Sequence, residues 1–137
     1  MTQIIIDNGV SQSDFSELDL SRFSQLKSFT VGEHCFSYVE EVKMIGVSEL
    51  ESVEIGMNSF TQHKNGGGND PNRHFYLKNC PKLKSLKMGR YSFSDYRVFE
   101  IENVDALEVI EIGELNESSY CFYYASLELK SILIHRE

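Results

Sequence analysis

Two histidines and an aspartate in the middle of the chain are the first residues that could do chemistry. His63 and His74 flank Asp70, and imidazole and carboxylate groups are ordinary ligands of divalent metals. Their spacing matches no known ligand pattern, and no cysteine lies near them in the sequence. We therefore predict no metal site and no cofactor.

A cysteine beside a histidine raises the question of a thiol nucleophile. His34 precedes Cys35, and an imidazole can activate a thiol in covalent catalysis. Cys35, however, occupies a repeated slot that Ser59 and Ser92 fill elsewhere, which favours a structural role. The many glutamates are spread along the chain and form no paired acid–base site. The sequence therefore predicts that the protein is not an enzyme.

Charge and composition restrict the classes of partner. The chain has 137 residues, with 13 Lys+Arg against 21 Asp+Glu, and a net charge of −8. This balance argues against nucleic acid, because nucleic-acid binding needs a basic field that displaces counterions. No apolar run approaches the roughly 20 residues of a membrane helix. Three cysteines, an odd number, suit a reducing compartment. We predict a cytoplasmic protein, or an extracellular surface protein if the chain is a fragment of a secreted one.

An internal repeat organises the whole chain. The segment 50–60 aligns with 83–93 as L-x-S-φ-x-φ-G-x-x-S-F, where φ is apolar. We call the leading position the anchor and the φ-x-φ pair after it the anchor strand. A second φ-x-φ pair, the upstream strand, lies eight and six residues before each later anchor. The anchors are residues 1, 26, 50, 83, 107 and 129, with spacings of 25, 24, 33, 24 and 22.

This pattern predicts the fold class. A period of two marks a short strand with alternate side chains inward, and no segment has the longer 3.6-residue period of a helix. One unit cannot bury its apolar side alone, so units must stack. We predict a single domain over residues 1–137, mainly β, with about five stacked ~24-residue units of two short strands each and little or no helix. The glycines at 32, 56, 89 and 113 are predicted to turn the chain with a positive φ angle.

The repeat resembles a known superfamily. The stretch Leu50-x-x-Val53-x-Ile55-x-x-Asn58-x-Phe60 resembles the LxxLxLxxNxL core of leucine-rich repeats. Phe75-x-Leu77-x-x-Cys80-x-x-Leu83 is similar to the cysteine-containing variant of that core, and the IG-x-x-SF and C-x-x-L elements resemble the BspA-like subclass. The other copies lack the asparagine. The resemblance implies a right-handed β-solenoid that serves as a non-catalytic protein–protein interaction scaffold.

The two outward strand surfaces differ. On the anchor strands, outward charges alternate in sign from unit to unit, as in Glu54, Lys87 and Glu111. This pattern predicts a structural ladder of opposite charges, and a binding face that recognises a partner by its charge pattern is the alternative. The upstream strands carry aromatic residues, which are enriched at protein interfaces. We predict that they contact a protein partner through His74, Tyr76, Lys78, Glu100, Tyr120, Phe122 and Tyr124. A one-residue slip in the last, 22-residue unit would instead turn Phe122 and Tyr124 into the core.

One unit contains an insertion loop, residues 61–74, that leads into the strand of Tyr76. Insertions in repeat proteins map to loops on one face, often the binding face, which makes Asn65 and Asn69 candidate contact residues. A neutral insertion is the alternative, since longer loops add little closure entropy.

Both ends of the predicted stack lack a polar cap. The pattern opens with Ile4 and Ile6 and closes with Ile132 and Ile134, so apolar strands lie at the ends. We expect either a fragment of a longer array or a homo-oligomer that forms through these ends. The alternative to a recognition scaffold is therefore a structural segment of a longer repeat protein or surface adhesin, self-associating end to end.

Overall fold

A computed structural model describes residues 2–11, 16–61, 70–89, 92–93, 96–112 and 126–130. Within these ranges the chain forms ten β-strands and no helix. No described segment is therefore a helix that could cross a membrane. The predicted mainly β class is confirmed for this part of the chain.

The strands form two parallel sheets, and consecutive strands alternate between them. The odd sheet contains β1 (Gln3–Ile6), β3 (Ser28–Val31), β5 (Ser52–Ile55), β7 (Ser85–Met88) and β9 (Val109–Ile112). The even sheet contains β2 (Glu17–Asp19), β4 (Glu41–Ile45), β6 (Asp70–Lys78), β8 (Tyr96–Glu102) and β10 (Ser126–Lys130).

The predicted strands up to residue 112 correspond to observed ones, with anchor strands in the odd sheet and upstream strands in the even sheet. Val53 lies opposite both Phe29 and Leu86, so the same repeat position aligns from strand to strand. These positions are buried, whereas the residues between them are half-buried or exposed. The period-two pattern therefore set both the strands and their register.

Apolar side chains of both sheets form one hydrophobic cluster. A row of phenylalanines runs through it: the ring centroids of Phe36 and Phe60 are 5.1 Å apart, and those of Phe60 and Phe93 are 4.5 Å apart and stacked. All three have φ between 56° and 60°, a left-handed conformation that bulky residues rarely adopt. Their burial and ring contacts, one tilted and one stacked, offset the cost of this conformation.

The expected role of the corner glycines is wrong. Among the described residues, the positive-φ glycines are Gly9 and Gly46, and not Gly32, Gly56 or Gly89. A Cβ on Gly56 would lie 2.6 Å from the carbonyl oxygen of Gly32, and one on Gly89 would lie 2.5 Å from the Met57 nitrogen. The repeat requires glycine because the backbones of successive units touch there. Gly113 lies outside the described residues.

A second row of small polar side chains joins the units. The Ser59 hydroxyl donates to the Gly32 carbonyl oxygen at 2.8 Å, and the Ser92 hydroxyl donates to the Gly56 carbonyl at 2.8 Å. The Cys35 thiol donates in the same way to the Asp7 carbonyl at 3.0 Å. Cys35 is therefore the sulfur member of this row.

The predicted register of the last unit is wrong. β10 pairs with β8 in the even sheet, with Leu127 opposite Phe99 and Leu129 opposite Ile101. Leu129 is thus an upstream-strand residue and not an anchor. The pattern misled because apolar pairs two residues apart occur at both 127/129 and 132/134, so a period of two fits more than one frame. The predicted upstream residues Tyr120, Phe122 and Tyr124 lie outside the described residues.

The insertion is shorter than predicted, because residues 70–74 belong to β6. The register between β6 and β8 shifts between Asp70 and His74. Next to this shift, the buried guanidinium of Arg73 donates to the carbonyl oxygens of Ser37 at 3.1 Å and Val39 at 3.3 Å. These bonds hold the start of the strand against the preceding units. Residues 62–69, including Asn65 and Asn69, lie outside the described residues.

Candidate functional site

The structure brings together the four predicted contact residues that it describes. Tyr76 lies between Lys43 and Glu100 in one row across the even sheet, and His74 and Lys78 lie two residues to either side of it on β6. All of these side chains are half-buried. We call the outward side of β2, β4, β6 and β8 the even-sheet face.

Two lysine-centred ion-pair groups flank Tyr76. Lys43 Nζ lies 3.1 Å from Glu17 and 3.5 Å from Glu41. Lys78 Nζ lies 2.8 Å from Glu100 and 4.0 Å from Glu102. Lys43 on β4 thus bridges one carboxylate on β2 and one on its own strand, and Lys78 on β6 bridges two carboxylates on β8. These ion pairs hold the charges in place on the sheet.

Hydrogen bonding to carboxylates raises the pKa of both lysines. The Glu17 carboxylate, as hydrogen-bond acceptor and as charge, raises the pKa of Lys43. The hydrogen bond to Glu100 is the largest cause that raises the pKa of Lys78, and burial partly opposes it. An ammonium group is not a nucleophile, because it lacks the free electron pair of the amine. These lysines therefore provide fixed positive charges.

Tyr76 is the aromatic centre of the even-sheet face. Its hydroxyl oxygen lies 3.2 Å from Nδ1 of His74, and Lys78 Nζ lies 5.3 Å from its ring centroid. Burial raises the pKa of Tyr76, and the carboxylates of Glu100 and Glu41 raise it further. The neutral phenol offers a flat contact surface with a polar end, a combination that favours binding over proton transfer.

Among the side chains of the even-sheet face that the structure describes, five carboxylates outnumber two ammonium groups, which gives a net charge of −3 with histidine neutral. The carboxylates belong to Glu17, Asp19, Glu41, Glu100 and Glu102, and the ammonium groups to Lys43 and Lys78. The described charges of this face are therefore predominantly negative.

The outward surface of the odd sheet differs from the even-sheet face in its ion pairing. Thr30, Glu54, Lys87 and Glu111 align in one row, so the predicted alternation of charge is present in the register. Within the described ranges, these side chains form no ion pair within 4.0 Å. Exposed lysines lose little by remaining hydrated, because a surface ion pair contributes about 0–1 kcal/mol.

The candidate metal ligands do not assemble into a site in the part of the chain that the structure describes. His63 lies outside it, and Asp70 and His74 are four residues apart on β6. Among the described residues, no group of three or more His, Cys, Asp or Glu side chains could hold a metal ion.

Cys80 has the properties of a core thiol. It is fully buried, and its sulfur lies 3.4 Å from the carbonyl oxygens of Met44 and Lys78. Burial raises the pKa of the Cys80 thiol, so the thiolate that would act as a nucleophile is disfavoured.

We expect iodoacetamide at pH 8 to modify Cys80 about 100-fold more slowly in the folded protein than in urea, because the thiol must be exposed by an opening reaction. Mass spectrometry of the peptide that contains Cys80 measures the rate. Equal rates in the two conditions would show that Cys80 is accessible in the folded protein.

The sequence patterns did not predict the roles of Arg73 and Tyr96, two residues with polar groups that are buried in the structure. The Tyr96 hydroxyl donates to the Val39 carbonyl at 2.6 Å, across 57 residues, and the guanidinium carbon of Arg73 lies 5.8 Å from the Tyr96 ring centroid. Tyr96 and Val39 occupy the same repeat position, two units apart. The corresponding position of the unit between them is residue 63, in the inserted segment. The sequence signal that could have identified Tyr96 is the presence of a tyrosine at the repeat position that Val39 occupies two units earlier.

Asn58, which aligns with the asparagine of the leucine-rich core, adopts a positive φ of 61°. Its buried Oδ1 accepts no hydrogen bond. Asparagines are instead joined at the ends of the even-sheet strands, where the Asn103 amide donates to Oδ1 of Asn79 at 2.8 Å.

Comparison of the chain with protein-family models, with curated proteins and with solved structures gives no match.

Proposed function

We propose that the protein is a leucine-rich-repeat-like, right-handed β-solenoid that acts as a non-catalytic scaffold for binding another protein. The alternation of consecutive strands between two parallel sheets supports the stacked architecture. Contacts that recur from unit to unit also support it, namely the close backbone approach at Gly56 and Gly89 and the hydroxyl row of Ser59 and Ser92. Repeat stacks offer extended surfaces, which suits recognition.

The observation that carries the binding role is the position of Tyr76. It lies at the centre of an acidic face on which six charged side chains take part in ion pairs, namely Glu17, Glu41, Lys43, Lys78, Glu100 and Glu102. Aromatic side chains provide large contact areas at low entropic cost and are enriched among binding hot spots. The partner that fits this face is a protein segment with arginine or lysine side chains.

Recognition through this face predicts a face-specific effect of charge reversal. We expect the double variant Glu41→Lys/Glu100→Lys to lose a partner captured with the tagged wild-type protein from the cells that express it. Tyr76→Ala should weaken the same complex about tenfold or more, as for an aromatic hot spot. Quantitative mass spectrometry of the captured material measures both effects.

The matched control is Glu54→Lys/Glu111→Lys, which makes the same change of charge on the odd sheet. Thermal unfolding must first show that each variant is folded. Loss of the partner with the even-sheet variant but not with the control supports the proposal. Equal loss or equal retention in the two double variants would contradict a role for the even-sheet face.

A further inference from the structure

The outward surface of the odd sheet carries charges whose sign alternates from strand to strand. Glu54 on β5 lies opposite Lys87 on β7, which lies opposite Glu111 on β9. The residues directly after the anchors repeat this alternation and are aligned by backbone hydrogen bonds of 2.7–2.9 Å, namely Lys27, Glu51, Lys84 and Glu108. All seven side chains are exposed. We call the outward side of β3, β5, β7 and β9, together with the residues directly after their anchors, the odd-sheet face.

These seven charges are not paired with one another. Among the residues that the structure describes, none of them takes part in an ion pair within 4.0 Å. By contrast, Glu49 and Lys82, one residue before two successive anchors, form an ion pair at 2.8 Å, so side chains of neighbouring units can reach each other. The charged groups of the odd-sheet face therefore keep their capacity to pair with a surface outside the chain.

An alternating pattern of charge selects its partner by phase. Counted with the residue after each anchor, the strands carry +1 on β3, −2 on β5, +2 on β7 and −2 on β9. A uniformly charged surface would gain at one strand what it loses at the next. A complementary surface must alternate over the same two strands, about 9.6 Å, and in the opposite phase.

A second copy of the same face meets this requirement. A two-fold axis that runs parallel to the strands, midway between β5 and β7, reverses the order of the strands and keeps their direction. It places β5 of one copy opposite β7 of the other, and β3 opposite β9. Every described charged row then faces a row of opposite sign. A two-fold axis along the stack would instead place each strand on its own copy, with like charges together, and like charges across an interface oppose binding.

We propose that the odd-sheet face binds the odd-sheet face of a second copy and forms a two-fold symmetric dimer. The register then specifies the contacts: Glu54 of each copy lies opposite Lys87 of the other, Glu51 opposite Lys84, and Lys27 opposite Glu108. Between the two charged rows lies a row of short side chains, namely Ser28, Ser52 and Ser85, which leaves room for the longer charged ones. Each patch serves both copies, as in other two-fold dimers.

The contact is small and polar. It consists of four strands of four residues with the residues before them, which places it among interfaces under about 1,200 Å² in total, the size of weak and transient complexes. Its charged groups are exposed, so salt screens their attraction. The dimer is therefore weak, with a Kd of about 0.1 mM at low ionic strength. The even-sheet face belongs to the other sheet and stays outside the contact, so the dimer does not depend on the proposed function.

Sedimentation equilibrium of the purified chain measures the association. In about 50 mM salt we expect the mass to rise with concentration towards twice the 15.7 kDa of one chain, and about 0.5 M salt to raise the Kd at least tenfold. A dimer that salt does not weaken would overturn the proposal. So would a chain that stays monomeric at about 1 mM; if Glu54→Lys/Glu111→Lys then lost a captured partner, the odd-sheet face would belong to a different protein.

Charge reversal tests the arrangement of the two copies. Glu51→Lys/Glu54→Lys makes β5 and β7 both positive, and Lys84→Glu/Lys87→Glu makes both negative. We expect each double variant alone to dimerise at least tenfold more weakly than the wild type, because β5 then faces a like charge. Their equimolar mixture should form a heterodimer, since opposite charges meet again at every strand. The net charges of the variants are −8 + 4 = −4 and −8 − 4 = −12, so attraction between whole molecules cannot cause this association.

The matched control is Glu41→Lys/Glu100→Lys, which makes the same change of net charge on the even-sheet face and should dimerise like the wild type. Circular dichroism first shows that each variant is folded. The chain that carries all four odd-sheet substitutions should dimerise again, which separates loss of the contact from loss of the fold. A mixture that associates no better than the separate double variants would overturn the proposal. Because these measurements use the purified chain alone, they are independent of whether a partner is captured through the even-sheet face.

Discussion

We expect Phe60→Ala to lower the free energy of unfolding by about 3–5 kcal/mol, the usual cost of removing a buried phenylalanine ring. Phe60 is fully buried and is the middle ring of the row. Its ring centroid lies 5.1 Å from that of Phe36 and 4.5 Å from that of Phe93. Truncation therefore leaves a cavity between two units and removes two aromatic contacts. Chemical denaturation followed by circular dichroism measures the change.

Phe60→Leu is the matched control, because leucine refills much of the space and keeps the positive-φ backbone occupied by a branched apolar residue. We expect it to cost clearly less than Phe60→Ala, since most of the cavity is filled. If alanine and leucine were equally tolerated, the phenylalanine row would not be a source of stability.

Gly56→Ala is expected to cost about 1–3 kcal/mol, the range for adding atoms to a packed core. The new Cβ would lie 2.6 Å from the Gly32 carbonyl oxygen and 2.9 Å from the Glu33 nitrogen. Both atoms belong to the backbone of the preceding unit, so relief requires the units to move apart. Such movement would also stretch the bond from the Gly56 N–H to the Val31 carbonyl, which is 2.8 Å long. The midpoint of urea unfolding measures the loss.

The control for Gly56→Ala is Gly46→Asn, a larger change at a glycine with a different role. Gly46 has a φ of +71°, and an added Cβ would meet nothing within 4 Å. Asn79 and Asn103 occupy the same repeat position with φ of 57°, and asparagine tolerates this conformation well. We expect Gly46→Asn to change stability by less than about 0.5 kcal/mol. If it cost as much as Gly56→Ala, close backbone approach would not explain the glycine column.

The constant register between strands of successive units explains the alignment of residues both in the interior and on the proposed binding surface. Parallel pairing in constant register places equivalent residues above one another. Inside, this stacks Phe36, Phe60 and Phe93. Outside, it aligns Lys43, Tyr76 and Glu100 across three strands of the even sheet.

The sequence by itself determined the mainly β class, nine of the ten strands and their register up to residue 112. It could do so because a period of two assigns each side chain to one side of a strand, and because repetition multiplies that signal over the units. It also identified His74, Tyr76, Lys78 and Glu100 as outward residues on neighbouring strands. Their alignment follows from parallel pairing in constant register.

Only the tertiary structure decided features that depend on contacts between units. The column at Gly32, Gly56 and Gly89 is explained by backbones that touch across units, a distance that no local pattern encodes. Arg73 bonds to the Val39 carbonyl of the preceding unit, and Tyr96 bonds to the same carbonyl from two units away, because the insertion interrupts the repeat between Val39 and Tyr96. The placement of β10 required its pairing with β8, since alternation alone fits several frames. Short-range periodicity specifies which residues point inward, whereas long-range packing specifies what they meet.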